Sequence, residues 1–152
     1  PQLLPRHDNV IWEQLAADEL SASLIVDGHH LPPAVVKSLV RGKGLGRTIL
    51  VTDAVAAAAA PPGRYRLGEL EVERDAGGRV AEPGAAHLAG SALTMDAAVA
   101  NTAHFCGLAL DAVLPLGTTN PARLLGIEAA GQVAAEWDAT AHRLSIVSVT
   151  EN

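Results

Sequence analysis

The chain has 152 residues, of which 49% are hydrophobic, 18% charged and 3% aromatic, and its formal net charge is −6. The apolar fraction excludes a disordered chain, and no apolar run approaches the roughly 20 residues that a membrane-spanning helix needs. The acidic balance argues against non-specific binding to nucleic acid or to an anionic membrane. A single cysteine, Cys106, excludes an internal disulfide and a cysteine-cluster metal site. We therefore expect a cytoplasmic protein with neither nucleic acid nor a membrane as partner.

The first third of the chain has the pattern of a strand–helix–strand unit. After a short helix over Val10–Ala17, the apolar run Ala22–Val26 has the length and the β-branched residues of a buried strand. A helix is predicted from Pro33 to about Arg41, and a second buried strand over Thr48–Thr52. Continuous apolar strands separated by a helix predict two adjacent parallel strands joined by a right-handed crossover. The opening residues, PQLLPRHDNV, contain neither a signal peptide nor an initiator Met, so we expect the chain to begin inside a longer sequence.

A different pattern follows in the middle of the chain. Apolar and polar residues alternate over Tyr65–Glu73, and a glycine pair follows at Gly77-Gly78. Together they predict a β-hairpin or meander over Tyr65–Val80, outside the parallel sheet, with Asp75–Gly78 as its turn. Three further helices and a final strand are predicted at Thr94–Cys106, Leu110–Leu116, Asn120–Ile127 and Leu144–Val149.

Ionisable residues follow both predicted parallel strands. Asp27-Gly28-His29-His30 comes after the first strand, and Asp53 after the second. In α/β sheets and barrels, the carboxyl ends of the strands face the active site, where a carboxylate serves as general base or metal ligand and a histidine as ligand or binding group. Structural roles remain open: Asp27 as a turn residue, Asp53 as the cap of a loop, and Cys106 as a buried core residue.

Four segments occur in an order that resembles one enzyme family. Ile25–His30, Leu50–Ala54, Leu88–Met95 and Thr119–Arg123 are similar to the C-terminal part of the N-acetylglucosamine-6-phosphate deacetylases, members of the amidohydrolase superfamily. The resemblance implies an α/β fold. Residues 1–130 would form the C-terminal part of a (β/α)₈ TIM-type barrel, with a β-hairpin inserted at about 64–82. Residues 131–152 would hold a terminal strand of a small β-sandwich.

The same resemblance implies roles for particular residues. Asp53 matches the aspartate after barrel strand eight, the general base and acid of the hydrolysis. His30 matches the histidine of the Asp-Gly-x-His motif after strand seven, which contacts the substrate. Ser91, Leu93 and Met95 match the segment that lines the sugar site. His29 falls on a position that is usually apolar in the family, and no role is assigned to it.

The implied activity of the intact protein is hydrolysis of the acetamide of N-acetylglucosamine 6-phosphate, or of a related N-acetyl amino sugar. It would depend on zinc or a similar divalent metal. In the family the metal ligands, a Glu and two His, lie upstream of the matched region, so we expect no metal site and no activity in the 152-residue chain alone. Two of eight barrel strands leave sheet edges to be covered, and we expect a homodimer. The alternatives are a non-catalytic assembly or binding module and an amidohydrolase acting on another amide or cyclic substrate.

Overall fold

The centre of the molecule is a pair of parallel strands, in a computed structural model that describes residues 4–128 and 130–151. Strand β1 (Ala22–Ile25) pairs with β2 (Thr48–Val51) in a register that runs from Ala22–Thr48 to Ile25–Val51. Helix α2 (Pro33–Lys43) and a 3₁₀ turn (Leu45–Arg47) connect them. The predicted parallel pair is confirmed, and each strand ends one residue earlier than expected.

Helices cover this pair of strands. They are α1 (Val10–Ala16), α2, α3 (Met95–Cys106), α4 (Leu110–Gly117) and α5 (Thr119–Leu125). All five were predicted from the sequence, with ends that agree within two residues. Within the described residues, no helix has the length and the apolar character needed to cross a membrane.

The main core lies between the strands and helices α2, α3 and α4. It is built from aliphatic side chains two residues apart at the end of β1, from Leu50 of β2, and from residues that recur at helical spacing in the helices. Its buried members include Leu24, Val26, Val36, Val40, Leu50, Ala98, Val99, Ala103, Val113 and Leu116. Cys106 belongs to this core, as the structural interpretation of that residue predicted. The packing of α3 on the strands therefore fixes where the residues beyond the strand ends lie.

A separate three-stranded antiparallel sheet follows β2. It comprises β3 (Gly63–Leu67), β4 (Leu70–Arg74) and β5 (Val80–Ala81), and it has its own small core of Ala57, Val72 and Val80. The antiparallel strands predicted here are confirmed. The single turn predicted at Asp75–Gly78 is incomplete, because that turn joins only β4 to β5. A two-residue turn at Gly68-Glu69 joins β3 to β4, with Gly68 at a φ of 61°. The alternation of apolar residues shifts by one position there, the mark of the turn.

The end of the chain corrects the sequence analysis. One strand was predicted over Leu144–Val149, whereas the structure has a hairpin of β6 (Gln132–Asp138) and β7 (Arg143–Thr150), with a bulge at Ala134/Ala135. The Ala-rich first strand has weak intrinsic β propensity, and cross-strand pairing with β7 supplies what the sequence lacks. Leu144 joins the main core, and Trp137 packs against it.

Candidate functional site

Two carboxylates follow the parallel strands at equivalent positions. The last registered pair is Ile25 with Val51, and Asp27 and Asp53 each lie two residues further along. Because the strands are parallel, both segments leave the sheet at the same edge. Asn101 on α3 ties this edge to the helix layer, since its Nδ2 donates a hydrogen bond of 2.8 Å to the carbonyl of Val26. The segments that carry the predicted site residues therefore start from one anchored edge of the sheet.

Asp27 holds the turn that presents the two histidines. Its Oδ1 accepts hydrogen bonds from the backbone N–H of His29 (2.9 Å) and of His30 (2.8 Å). Its Oδ2 lies 2.7 Å from Nδ1 of His30, and the side chains of Asp27 and His30 are only 8% and 21% exposed. The two carboxylate oxygens thus have separate partners, one in the backbone of the turn and one in the imidazole ring.

These contacts shift the ionisation of Asp27. Burial alone would raise the pKa of the carboxyl group, but the hydrogen bonds from His30 and His29 outweigh it and hold the pKa below its ordinary value. Asp27 is therefore a carboxylate at neutral pH. An ionised acceptor shortens and strengthens the hydrogen bond to the imidazole.

Asp53 is placed differently. It is exposed, its φ is 51°, and among the described residues its carboxylate has no hydrogen-bond or salt-bridge partner. The left-handed region is uncommon outside glycine, although aspartate enters it more readily than most residues. A non-glycine residue keeps this backbone conformation at a strand end only where the surrounding structure holds it there.

The neighbouring segment around Ser91 fixes this conformation. Ser91 N donates to the carbonyl of Asp53 at 2.8 Å, and Val55 N donates to the carbonyl of Ser91 at 3.0 Å, which forms an isolated parallel bridge between Ala54 and Ser91. Gly90, at a φ of 72°, makes this approach possible. A Cβ on it would lie 2.3 Å from Cγ1 of Val55 and 3.2 Å from the Asp53 carbonyl oxygen. The backbone of Asp53 is therefore clamped while its side chain stays open to solvent.

The three residues predicted to line a sugar site occupy different environments. Ser91 is 1% exposed, and its hydroxyl donates to the carbonyl of Thr52 and accepts from the N–H of Leu93. Leu93 is buried in the main core, and Met95 is partly exposed with its sulfur against Gly117. Contact of these residues with a ligand stays a prediction. What the geometry gives them is a part in holding the segment beside Asp53.

A cleft of about 310 Å³ opens next to this edge, between the turn after β1, the meander and the start of α3. Nε2 of His29 is 3.2 Å from the carbonyl of Gly77, so this histidine, which had no predicted role, joins the two segments. The residues that line the cleft are Asp27, His29, Ala59, Arg74, Gly77, Gly78, Ala92, Leu93, Thr94 and Ala97. The cleft is therefore lined by one positive residue, Arg74, and one negative residue, Asp27, and it is large enough for a small polar molecule.

The described residues do not fit a metal centre by themselves. No group of three or more His, Cys, Asp or Glu side chains comes together anywhere in residues 4–128 and 130–151. Both oxygens of Asp27 already accept hydrogen bonds from neighbouring groups of the turn.

Sequence reasoning missed two functional contributions and one requirement of the backbone. Asp27 was considered as a turn residue or as an ionisable group at a strand end, and its pairing with the ring of His30 was missed. Asn101 was missed because a polar residue in an apolar helix gives no hint of a partner 75 positions away. The close packing of Gly90 was missed because its neighbours, Val55 and Asp53, are distant in sequence.

Comparison with known proteins adds the family context. No protein-family model matches the chain. An N-acetylgalactosamine-6-phosphate deacetylase of Escherichia coli O157:H7 is 40% identical over 105 residues, which is 69% of this chain and 27% of that protein. The N-acetylglucosamine-6-phosphate deacetylase of Lysinibacillus sphaericus is 35% identical over 136 residues, 90% of this chain and 35% of that protein. The chain spans less than two thirds of the length of these curated relatives.

Solved structures of the same enzyme are similar in fold. An N-acetylglucosamine-6-phosphate deacetylase of Thermotoga maritima matches with a TM-score of 0.80 and 26% identity, over 94% of this chain and 40% of that one. A variant of the Mycobacterium smegmatis enzyme, in complex with N-acetyl-D-glucosamine-6-phosphate, matches with a TM-score of 0.78 and 29% identity, over 91% and 38%. In sequence and in fold, this chain is related over most of its length to the N-acetylglucosamine-6-phosphate deacetylases.

Proposed function

We propose that this chain is part of a hydrolase that removes the acetyl group from an N-acetyl amino sugar 6-phosphate. The observation that carries the proposal is the common edge of β1 and β2, from which Asp27–His30 and Asp53 emerge at equivalent positions. Such an edge is where α/β hydrolytic sites are assembled. The relatives and structural neighbours, named as deacetylases of such sugars, support the choice of substrate.

In the proposed reaction, Asp53 is the general base and then the general acid. A water oxygen attacks the acetamide carbonyl carbon while its proton passes to the Asp53 carboxylate. The C–N bond then breaks, the nitrogen takes that proton, and the amino sugar and acetate leave. The exposed, unpartnered carboxylate and its clamped backbone support this role, because a general base must reach a proton in a defined position. His30 would face the substrate carbonyl oxygen as negative charge develops there.

The proposal extends to the arrangement of the whole protein. Residues 1–130 would be the C-terminal part of a (β/α)₈ barrel, with the meander as an insertion at about 64–82, and 131–152 would belong to a small β-sandwich. Ser91, Leu93 and Met95 would border the sugar. A divalent metal ion would polarise the carbonyl and the water in the intact protein, on ligands that the described residues do not supply. In the closed barrel, further strands would flank the two-stranded sheet on both sides, and the intact protein would be a homodimer.

The test is the pair of variants Asp53→Asn and Asp18→Asn in the intact protein, assayed for release of acetate from N-acetylglucosamine 6-phosphate. Asp18 is an exposed acid that precedes β1 and so lies before the opposite end of the strand. We expect Asp53→Asn to lower kcat by about 10²–10⁴ with little change in KM, because its amide cannot take up a proton. Asp18→Asn should leave kcat unchanged. An Asp53→Asn variant that is less stable but turns over normally per folded molecule would refute the catalytic role of Asp53. An intact protein that releases no acetate from this substrate would refute the proposed function.

A further inference from the structure

The contact between Asp27 and His30 determines more than the shape of a turn. We propose that Asp27 is a positioning residue that fixes the proton of neutral His30 on Nδ1 and leaves Nε2 as the nitrogen available to a ligand. The inference deepens the proposed function, on which its catalytic meaning rests. The position of the proton on the ring of His30 is a property of this chain alone.

The geometry assigns the proton. Nδ1 of His30 lies 2.7 Å from Oδ2 of Asp27, a distance at which a proton must lie between the two atoms. A carboxylate carries no proton, so the imidazole donates from Nδ1. In the described part of the chain, Nε2 of His30 has no hydrogen-bond partner. A neutral ring held in this way presents a bare nitrogen outward, which accepts a hydrogen bond rather than donating one.

This assignment constrains the part that His30 plays in a hydrolysis. To donate to a carbonyl oxygen, Nε2 must carry a second proton, which makes the ring an imidazolium. A neutral His30 would instead accept from a hydroxyl or amide N–H of the ligand. The pair therefore links the choice of ligand group to the protonation of one ring.

The two oxygens of Asp27 allow the ring contact to be changed while the turn is kept. In Asp27→Asn, the amide oxygen should stay on the N–H groups of His29 and His30, because turning the amide would place its NH₂ against two donors. The amide NH₂ then faces Nδ1 and donates to it, so the proton of neutral His30 should move to Nε2. Asp138 offers a matched control: its Oδ1 also accepts two backbone N–H groups, from Thr140 and Ala141, at 2.9 Å each.

The experiment is long-range ¹H–¹⁵N correlation NMR of the 152-residue chain, with the pH raised until the His30 ring is neutral. The His30 signals are identified from their loss in His30→Gln. We expect a protonated Nδ1 and a bare Nε2 in the wild type and in Asp138→Asn, and the reverse in Asp27→Asn. A wild-type ring protonated on Nε2 would overturn the proposal. So would a folded Asp27→Asn that keeps the wild-type pattern. The wild-type spectrum decides the first point even if Asp27→Asn does not fold.

The NMR experiment uses no substrate, so it tests the position of the proton independently of the proposed hydrolase activity. If Nδ1 of His30 carries no proton in the wild type, while Asp53→Asn still loses activity as expected, only the positioning role of Asp27 is refuted. A confirmed tautomer in a protein that releases no acetate would leave Asp27 as a positioning residue of a different site.

Discussion

Replacement of Gly90 by alanine tests whether the clamp beside Asp53 is as tight as the geometry indicates. Gly90 has a φ of 72°, and its added Cβ would meet Cγ1 of Val55 at 2.3 Å and the carbonyl oxygen of Asp53 at 3.2 Å. The left-handed backbone costs a non-glycine residue about 1–2 kcal/mol. Overpacking against the half-buried Val55 costs about 1–3 kcal/mol more. We therefore expect Gly90→Ala to lower the free energy of unfolding by about 2–5 kcal/mol.

Gly107→Ala separates these two contributions. Gly107 ends α3 at a φ of 68°, nearly the value of Gly90, but a Cβ there meets no heavy atom within 4 Å. It should therefore lose only the backbone cost, about 1–2 kcal/mol. The difference between the two variants measures the steric contact alone.

The assay is urea denaturation of the chain, followed by far-ultraviolet circular dichroism, with free energies extrapolated to water. A double variant adds a second check, because Val55→Ala removes the atom that Gly90→Ala would strike. The double variant should therefore be less destabilised than the sum of the two single variants. Equal losses in Gly90→Ala and Gly107→Ala, or strict additivity with Val55→Ala, would refute the close approach of this segment to the strand end.

Three further predictions concern stability and reactivity. Nδ2 of Asn120 donates to the carbonyls of Leu45 and Thr48, so Asn120→Ala should cost about 2–4 kcal/mol in urea denaturation by leaving both acceptors unpaired; a loss below about 0.5 kcal/mol would contradict this. Since the folded-state pKa of Asp27 is lowered, its stabilisation is present above the unfolded value of about 3.9 and is lost as the pH falls through the folded one. The free energy of unfolding should therefore fall more steeply with acid in the wild type than in Asp27→Asn, and parallel profiles would argue against the shift. Burial raises the pKa of Cys106, although Lys37 and Arg41 oppose this, so a thiol reagent at pH 8 should label the native chain far more slowly than the urea-unfolded chain; equal rates would show that Cys106 is exposed.

Local pattern by itself determined much of this fold. Two short apolar runs separated by a helix with a proline start and a glycine end predict a parallel pair, because each strand must be buried on both faces and the helix must return the chain to the same edge. That argument also brings Asp27 and Asp53 to one edge. Capping residues mark two of the helix ends: the side chain of Asn9 accepts from the N–H groups of Ile11 and Trp12 at the start of α1, and Gly126, in the left-handed region, ends α5.

The tertiary structure alone decided how that edge is held. Asn101, Gly90 and Ser91 act through partners that lie 35 or more positions away, and such contacts leave no periodic signal in the sequence. Strand β6 forms because β7 lies beside it, in spite of its own weak propensity. The two tasks of Asp27 were hidden for the same reason. A turn residue and a partner for an imidazole look alike in sequence. Only the structure shows that Oδ1 of Asp27 contacts the backbone of the turn while Oδ2 contacts the ring of His30.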